Sequence, residues 1–414
     1  MKIAIIGAGI SGLGAAYLLS KDHDVTLYER NAYIGGHSRT IDIKPENKDI
    51  PVDTGFIVFN NWNYPNLTGL FKHLGIPYDK SDMSFGVCID NGWLEYSSSS
   101  IFSQRKNLIR PQFWKMLYDI VRFNLSAKKY LKNPKPMTLG EYLDDLGVGQ
   151  WFRDYYLLAM GAAIWSCPIN TIMCFPAQVY LRFFKNHGLL NIIKRPQWYT
   201  VRGGSRTYIQ KLLQEMEGRL QIRSGALKVT KTADGINLTD DKGTENYDHV
   251  VFACHADEAL ALLENPSDAQ REVLKDFTYQ ENKVIVHTDE SFMPNAKKSW
   301  ASWVYLNEGL RDEKPVVSLS YWMNNLQNLD TDQAIIITLN PGRSPDKATI
   351  LDEHIFEHPV FDTGAINAQG KIESIQGMDN ISFCGAYQRY GFHEDGLWSA
   401  VRVAEKLGVK IPWR

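Results

Sequence analysis

Three glycines near the start of the chain carry the first chemical signal. Ile3–Ile6 is a short apolar run rich in β-branched residues, as a buried parallel strand requires. Gly7, Gly9 and Gly12 follow it as G-A-G-I-S-G, and a helical pattern then runs through Leu19. Val25–Glu29 reads as a second strand ending on an acid, 22 positions after Gly7. This order of strand, glycine turn, helix and spaced acid is what a dinucleotide site needs. Gly7 permits the tight turn, Gly9 lets backbone approach a pyrophosphate, and Gly12 lets the helix pack close to the strand. The helix N-terminus offers free N–H groups to phosphate oxygens, and Glu29 can accept from ribose hydroxyls.

The residues after Glu29 narrow the choice among NAD, NADP and FAD. In YERNAYIGGHSRT, Gly35 and Gly36 follow Glu29 after five residues. This E-(x)5-G-G pattern resembles the FAD fingerprint of amine oxidases, phytoene desaturases and protoporphyrinogen oxidases. The resemblance implies cofactor contacts at Gly7, Gly9, Ser11, Gly12, Glu29, Arg30 and Gly36. Most members of that superfamily carry Arg directly after the glycine pair. Here His37 stands there, and Arg39, two residues on, becomes the candidate phosphate contact. PVDTGFIVFN resembles the V-D-x-G segment beside the flavin and implies contacts at Gly55 and Phe56, next to Asp53.

Two later segments extend the resemblance. Arg202–Met216 resembles the helix that re-enters the cofactor domain, and Ala226 in LQIRSGALKV sits where backbone reads the adenine. Asn380–Leu407 reads as strand, Gly385, loop, Asp395–Gly396 and helix. Its superfamily counterpart aims a helix N-terminus at the flavin, which implies contacts at Gly385, Asp395, Gly396 and Leu397. No cysteine occupies an evident attachment position, so the FAD is expected to be noncovalent.

The fold implied is α/β. A Rossmann-like FAD-binding domain (GR2-type) would be assembled from residues 1–85, 200–282 and 372–414. A discontinuous α+β substrate domain, amine oxidase-like, would take residues 86–199 and 283–371. The first substrate segment carries long helical patterns, including Phe113–Leu131 and Trp151–Ile164. The second alternates as strands do in VIVHTD, VVSLSYW and AIIITL.

Composition agrees with an ordinary globular chain. The 414 residues are 44% hydrophobic and 22% charged, with 45 basic and 47 acidic side chains and a net charge of −2. Nothing in that balance calls for nucleic acid. Five cysteines, odd in number and without a C-x-x-C pair, predict neither a disulfide framework nor a structural zinc site. No metal is expected, and reduced thiols suggest a cytoplasmic setting. The apolar N-terminus reads as the dinucleotide motif rather than a signal peptide. No apolar run of about 20 residues predicts a membrane span.

For the reacting end, Lys283 aligns with the lysine that holds a water near the ring in many amine oxidases. Position 397, where monoamine-type enzymes place an aromatic ring, is Leu, and Tyr387 replaces the usual acid. Both departures weaken a simple amine substrate. His393, Tyr390 and Trp165 join Lys283 as residues expected near the ring. His393 is a candidate proton donor or acceptor near neutral pH, and Trp165 a shaper of the pocket. A nearer resemblance is to predicted FAD proteins associated with cyclopropane-fatty-acyl synthases. It rests on VDTGFIVFN, SDMSFGVCIDNGWLEYS, WSCP, FPA, RPQW–RGGSR, HTDESFMP, ASW and YGFHEDGL. It implies oxidation, desaturation or double-bond isomerisation of a fatty acyl chain, and a fatty-acyl methyltransferase as partner. An amine or polyamine oxidase is one alternative. The other is a flavin-bearing protein that presents lipid to such a methyltransferase. Basic-aromatic stretches at Phe113–Lys132 and Arg182–Trp198 suit peripheral contact with the inner membrane face, or else a solvated basic surface.

Overall fold

The computed structural model describes the chain outside residues 166–171, 192–194 and 312–313, and its side chains outside 46, 162–171, 192–194 and 310–316. The WSCP segment beyond Trp165, the Trp165 side chain and part of the Arg182–Trp198 stretch therefore lie outside the described residues.

Five short strands form a parallel sheet in the order Leu220–Ser224, Asp24–Glu29, Lys2–Ile6, His249–Phe252 and Ile381–Phe383. The chain order reverses between Lys2–Ile6 and His249–Phe252, so the sheet has the switch point of a doubly wound fold. Side-chain alternation explains how one strand serves two cores. Ile3 and Ile5 face one apolar cluster together with the Ile10–Leu19 helix, while Ala4 and Ile6 face another with Val250 and Phe252. The Ile10–Leu19 helix is buried along its whole length. It packs against His393–Lys406, where a Cβ on Gly14 would come within 2.6 Å of Leu397 Cδ1.

The second sheet has seven strands, in the order Ile350–Pro359, Tyr279–His287, Ile336–Leu339, Lys314–Trp322, Trp303–Arg311, Phe85–Ile89 and Leu94–Ser97. Helices Pro111–Tyr130, Leu139–Leu146 and Ala177–Asn186 contribute to one apolar core with it. Phe85–Ile89 and Tyr279–His287 belong wholly to this sheet. The boundaries expected after residues 85 and 282 thus cut through strands. Trp198–Val201 pairs with Val58–Asn60 and Tyr78–Ser81 in a small antiparallel sheet beside the cofactor unit.

A buried carboxylate ties these parts together. Asp53 accepts from Thr40 Oγ1 at 2.6 Å, Ser205 N at 2.8 Å, Ser205 Oγ at 2.7 Å and Gln327 Nε2 at 2.8 Å. Burial raises its pKa to about 6, while the Thr40 and Ser205 hydrogen bonds pull it down. Asp53→Ala strands these buried donors. It is expected to lower the unfolding free energy by about 3 kcal/mol, read as a shift of the urea midpoint at constant slope.

Candidate functional site

At the switch point the backbone is shaped by three close approaches. Gly7, at φ +105°, donates to Tyr28 O at 2.8 Å. A Cβ on Gly12 would sit 1.8 Å from Gly7 O, so only glycine lets the helix start so near the strand. Gly36, at φ +56°, lays the following loop against Gly9, its own Cβ position being 3.0 Å from Gly9 Cα. Gly9 caps the Ile10–Leu19 helix without a side-chain hydrogen bond, and nothing lies within 4 Å of where its Cβ would be. Open backbone N–H groups at a helix N-terminus suit an anionic pyrophosphate.

A second helix N-terminus meets this one. A Cβ on Gly396 would lie 2.8 Å from both Ile10 Cγ2 and Ser11 Oγ, so the His393–Lys406 helix starts beside Ser11. Asp395 caps that helix, accepting from Tyr390 N at 3.2 Å and Phe392 N at 3.0 Å. Leu397 is fully buried in the core, and Gly385 donates its N–H to Ser399 Oγ at 2.8 Å. At the end of the Asp24–Glu29 strand, Glu29 accepts from Ala8 N and Asn31 N, each at 2.8 Å. Arg30 pairs with Glu258 at 2.5 Å. Gly225, beside Ala226, packs so tightly on Arg30 that its Cβ would lie 2.6 Å from Arg30 Cβ.

The loop after Gly36 brings two aromatic groups to the site. His37 stacks on Phe356 with ring centroids 4.7 Å apart and meets His358 in a tilted contact at 5.1 Å. Its Nε2 is buried and has no partner. Burial and the neighbouring His358 hold its pKa well below the usual range, so the ring is neutral. Gly55 lies against His37 O, to which Phe56 donates at 2.7 Å. Phe56 stacks on His393 at 3.8 Å, nearly parallel. His393 Nε2 lies 2.7 Å from the Tyr208 hydroxyl and 3.3 Å from Ser38 Oγ, and those two hydroxyls bond each other. An uncapped helix end, the Glu29 acceptor at the end of its strand and an orphaned imidazole nitrogen fit FAD.

Three sequence expectations are corrected. Arg39 is no free phosphate ligand: its guanidinium grips Asp352 at 2.7 and 3.2 Å. Arg30 lies at the surface, 65% exposed, and pairs there with Glu258. Lys283 is exposed and paired with Glu353 at 3.1 Å, on the face of its strand away from His37. Strand alternation instead turns Asn282 inward, where Nδ2 meets His358 Nδ1 at 2.8 Å. His393 does not titrate near neutrality, because burial drives its pKa to about 3. Tyr208 and Asn282 escaped sequence reasoning. Tyr208 signals itself only as a helix residue on an apolar face, and Asn282 only as the neighbour of the lysine. Tyr390 lies beside the site, 6.1 Å from Phe183. Among the described residues one trio, His255, Glu258 and Glu357, brings ligand atoms within 4.8 Å of one another, but Arg30 already neutralises Glu258.

Burial of imidazoles sets a pH dependence. His187, His249, His287 and His358 are lowered to about 4 and His393 to about 3, against 6.5 when unfolded. The unfolded chain therefore binds more protons below pH 6.5, and stability falls as pH drops from there towards 4. Asp53 and Asp395, raised to about 6, and Glu394, raised to about 7, act oppositely: their contribution is full at low pH and lost as pH rises. The lowered imidazoles, His37 among them, outweigh the three raised carboxyls. Urea midpoints are expected to rise between about pH 4.5 and 6.5 and then level off. His287→Asn, remote from the cofactor loops, should make that rise shallower. For the cradle, Gly12→Ala is expected to reduce retained FAD about tenfold or more, read as the ratio of visible to protein absorbance.

Comparison with known proteins places this geometry in a family. The sequence profile described as flavin containing amine oxidoreductase matches residues 10–335. The fold is shared with the CLA-producing fatty acid isomerase from P. acnes, at TM-score 0.68 and 17% identity over 97% of this chain and 98% of that one. It is also shared with cyclohexylamine oxidase from Brevibacterium oxydans IH-35A, at TM-score 0.69 and 15% identity over 98% and 99%. A shorter match, 54% identical over 37 residues, is to a 4,4'-diapophytoene desaturase of Staphylococcus aureus (strain bovine RF122 / ET3-1). It spans 9% of this chain and 7% of that curated relative. With the family match running through most of its length, the chain belongs to the flavin-containing amine oxidoreductases and is an FAD-dependent oxidoreductase.

Proposed function

We propose that the protein oxidises, desaturates or isomerises the acyl chain of an unsaturated or modified fatty acid. One observation carries this reading: the groups converging beside the cofactor cradle are aromatic, neutral or already paired with an opposite charge. Phe183 of the Ala177–Asn186 helix stacks on His187 at 3.8 Å and on Phe392 at 5.4 Å. Tyr390 and Phe392 pack onto the large core of the second sheet and its helices. His37, His187, His358 and His393 are all held uncharged at neutral pH. Asp395 spends its carboxylate on its own helix cap, with Arg389 at 3.5 Å. Such walls favour a methylene chain over an ammonium ion, which would demand a counter-charge. The fold shared with a fatty acid isomerase supports the same reading.

Bound FAD supplies hydride acceptance and return. The chain's own residues hold and desolvate the substrate. Phe56 and the Tyr208 hydroxyl fix His393 from its face and from Nε2, so the imidazole is a positioned, neutral wall. The amine-oxidase alternative loses its main support with Lys283, which faces solvent.

The reading is tested by mixing flavin-loaded protein, without oxygen, with free fatty acids carrying cis-unsaturated or branched chains. Bleaching of the visible flavin band, or a moved double bond by mass spectrometry, is the expected result. Neither change, together with hydrogen peroxide release from an amine panel in air, would replace the acyl chain by an amine. Tyr208→Phe is expected to slow acyl turnover about fivefold, the worth of one net hydrogen bond, with FAD content unchanged.

A further inference from the structure

The Pro111–Tyr130 helix is apolar on two opposite faces. Phe113, Met116, Phe123 and Ala127 are buried in the core. Trp114, Tyr118, Val121 and Leu125 are exposed, Tyr118 by 63% and Leu125 by 65%. At about 100° per residue these four lie within roughly 60° of arc, directly opposite the buried face. The stripe continues into the preceding turn. Ile109 is 84% exposed, and Trp114 Nε1 donates to Leu108 O at 2.9 Å, holding turn and helix together. A soluble helix turns such a face inwards, so a contiguous apolar stripe in solvent marks a docking surface.

Charge identifies what docks there. Residues 101–137 carry nine Lys and Arg against a single acid, Asp119, in a chain whose net charge is −2. Asp119 is buried and bound by Lys115 and Arg122, so it offers no negative charge to a partner. Lys106, Lys128, Lys129, Lys132 and Lys135 are exposed around the stripe. An apolar ridge bordered by cations matches the acyl boundary and anionic headgroups of a lipid surface. We infer that this face seats the protein on an anionic bilayer.

The face also lies close to the site. Phe123, on the helix's buried side, meets Phe184 at 6.3 Å, and the adjacent Phe183 stacks on Phe392. A layer formed by the Ala177–Asn186 helix lies between the docking helix and the residues around His393. Docking by this face presents the bilayer's acyl chains to that layer. This consequence rests on the acyl-chain reading above, whereas docking itself rests only on the surface.

The test is co-sedimentation of the FAD-loaded protein with vesicles of phosphatidylcholine alone or mixed with phosphatidylglycerol. Binding is expected to the anionic vesicles, and to weaken as salt rises from about 0.1 M to about 1 M and shortens screening from about 10 Å to about 3 Å. Trp114→Ser with Leu125→Ser, and separately Lys128→Glu with Lys129→Glu, should each lower vesicle affinity about tenfold or more. Both variants should keep their flavin absorbance and their turnover of free fatty acid. No binding to anionic vesicles would overturn the inference. So would equal binding by the variants, or a dimer in solution that the Trp114→Ser/Leu125→Ser pair dissolves. Vesicle binding without turnover of any acyl substrate would retain the docking face and defeat the proposed function instead.

Discussion

Two helix N-termini meeting at one point is the constraint on which the rest of the structure depends. Strands buried on both faces must be covered by helices, and the Ile10–Leu19 and His393–Lys406 helices cover the same face. Their starts touch where Gly396 lies against Ile10 and Ser11. Each helix brings the positive end of its dipole to that point, and the Ile10–Leu19 end carries no side-chain cap. An anionic, acceptor-rich cofactor satisfies both at once. The glycines at 7, 12 and 36 serve this convergence, because a Cβ at any of them would push apart segments that must touch.

The cofactor unit and the second sheet are held in register by polar ties rather than by apolar packing alone. Arg39 reaches Asp352, and Asp53 reaches Gln327. Glu394 accepts from Asn66 N at 3.0 Å and Leu67 N at 2.9 Å, fixing the Pro65–Leu74 helix to the start of the last one. Buried charges cost desolvation and repay it only through good geometry. Here their gain is specificity of placement: His358 and Phe356 of the second sheet come to lie against His37. The site's neutrality follows from the same burial, since imidazoles so enclosed give up their protons.

How much was legible in the sequence follows from the range of each interaction. The glycine turn, its helix and the acid at Glu29 are local, so their spacing alone determined a dinucleotide fold and, with the Gly35–Gly36 loop, the flavin family. The alternating apolar runs likewise announced the second sheet. Contacts between distant segments were another matter. Arg39 and Asp352 are 313 positions apart, and no local pattern shows that the arginine is already engaged. Lys283 and Asn282 are neighbours in sequence, yet pleating sends them to opposite faces, and only strand pairing decides which one faces His37. The protonation of His393 belongs to the tertiary structure too. A histidine in a sequence carries its solution pKa, and the stacked Phe56 and surrounding core that deny it a charge exist only after folding.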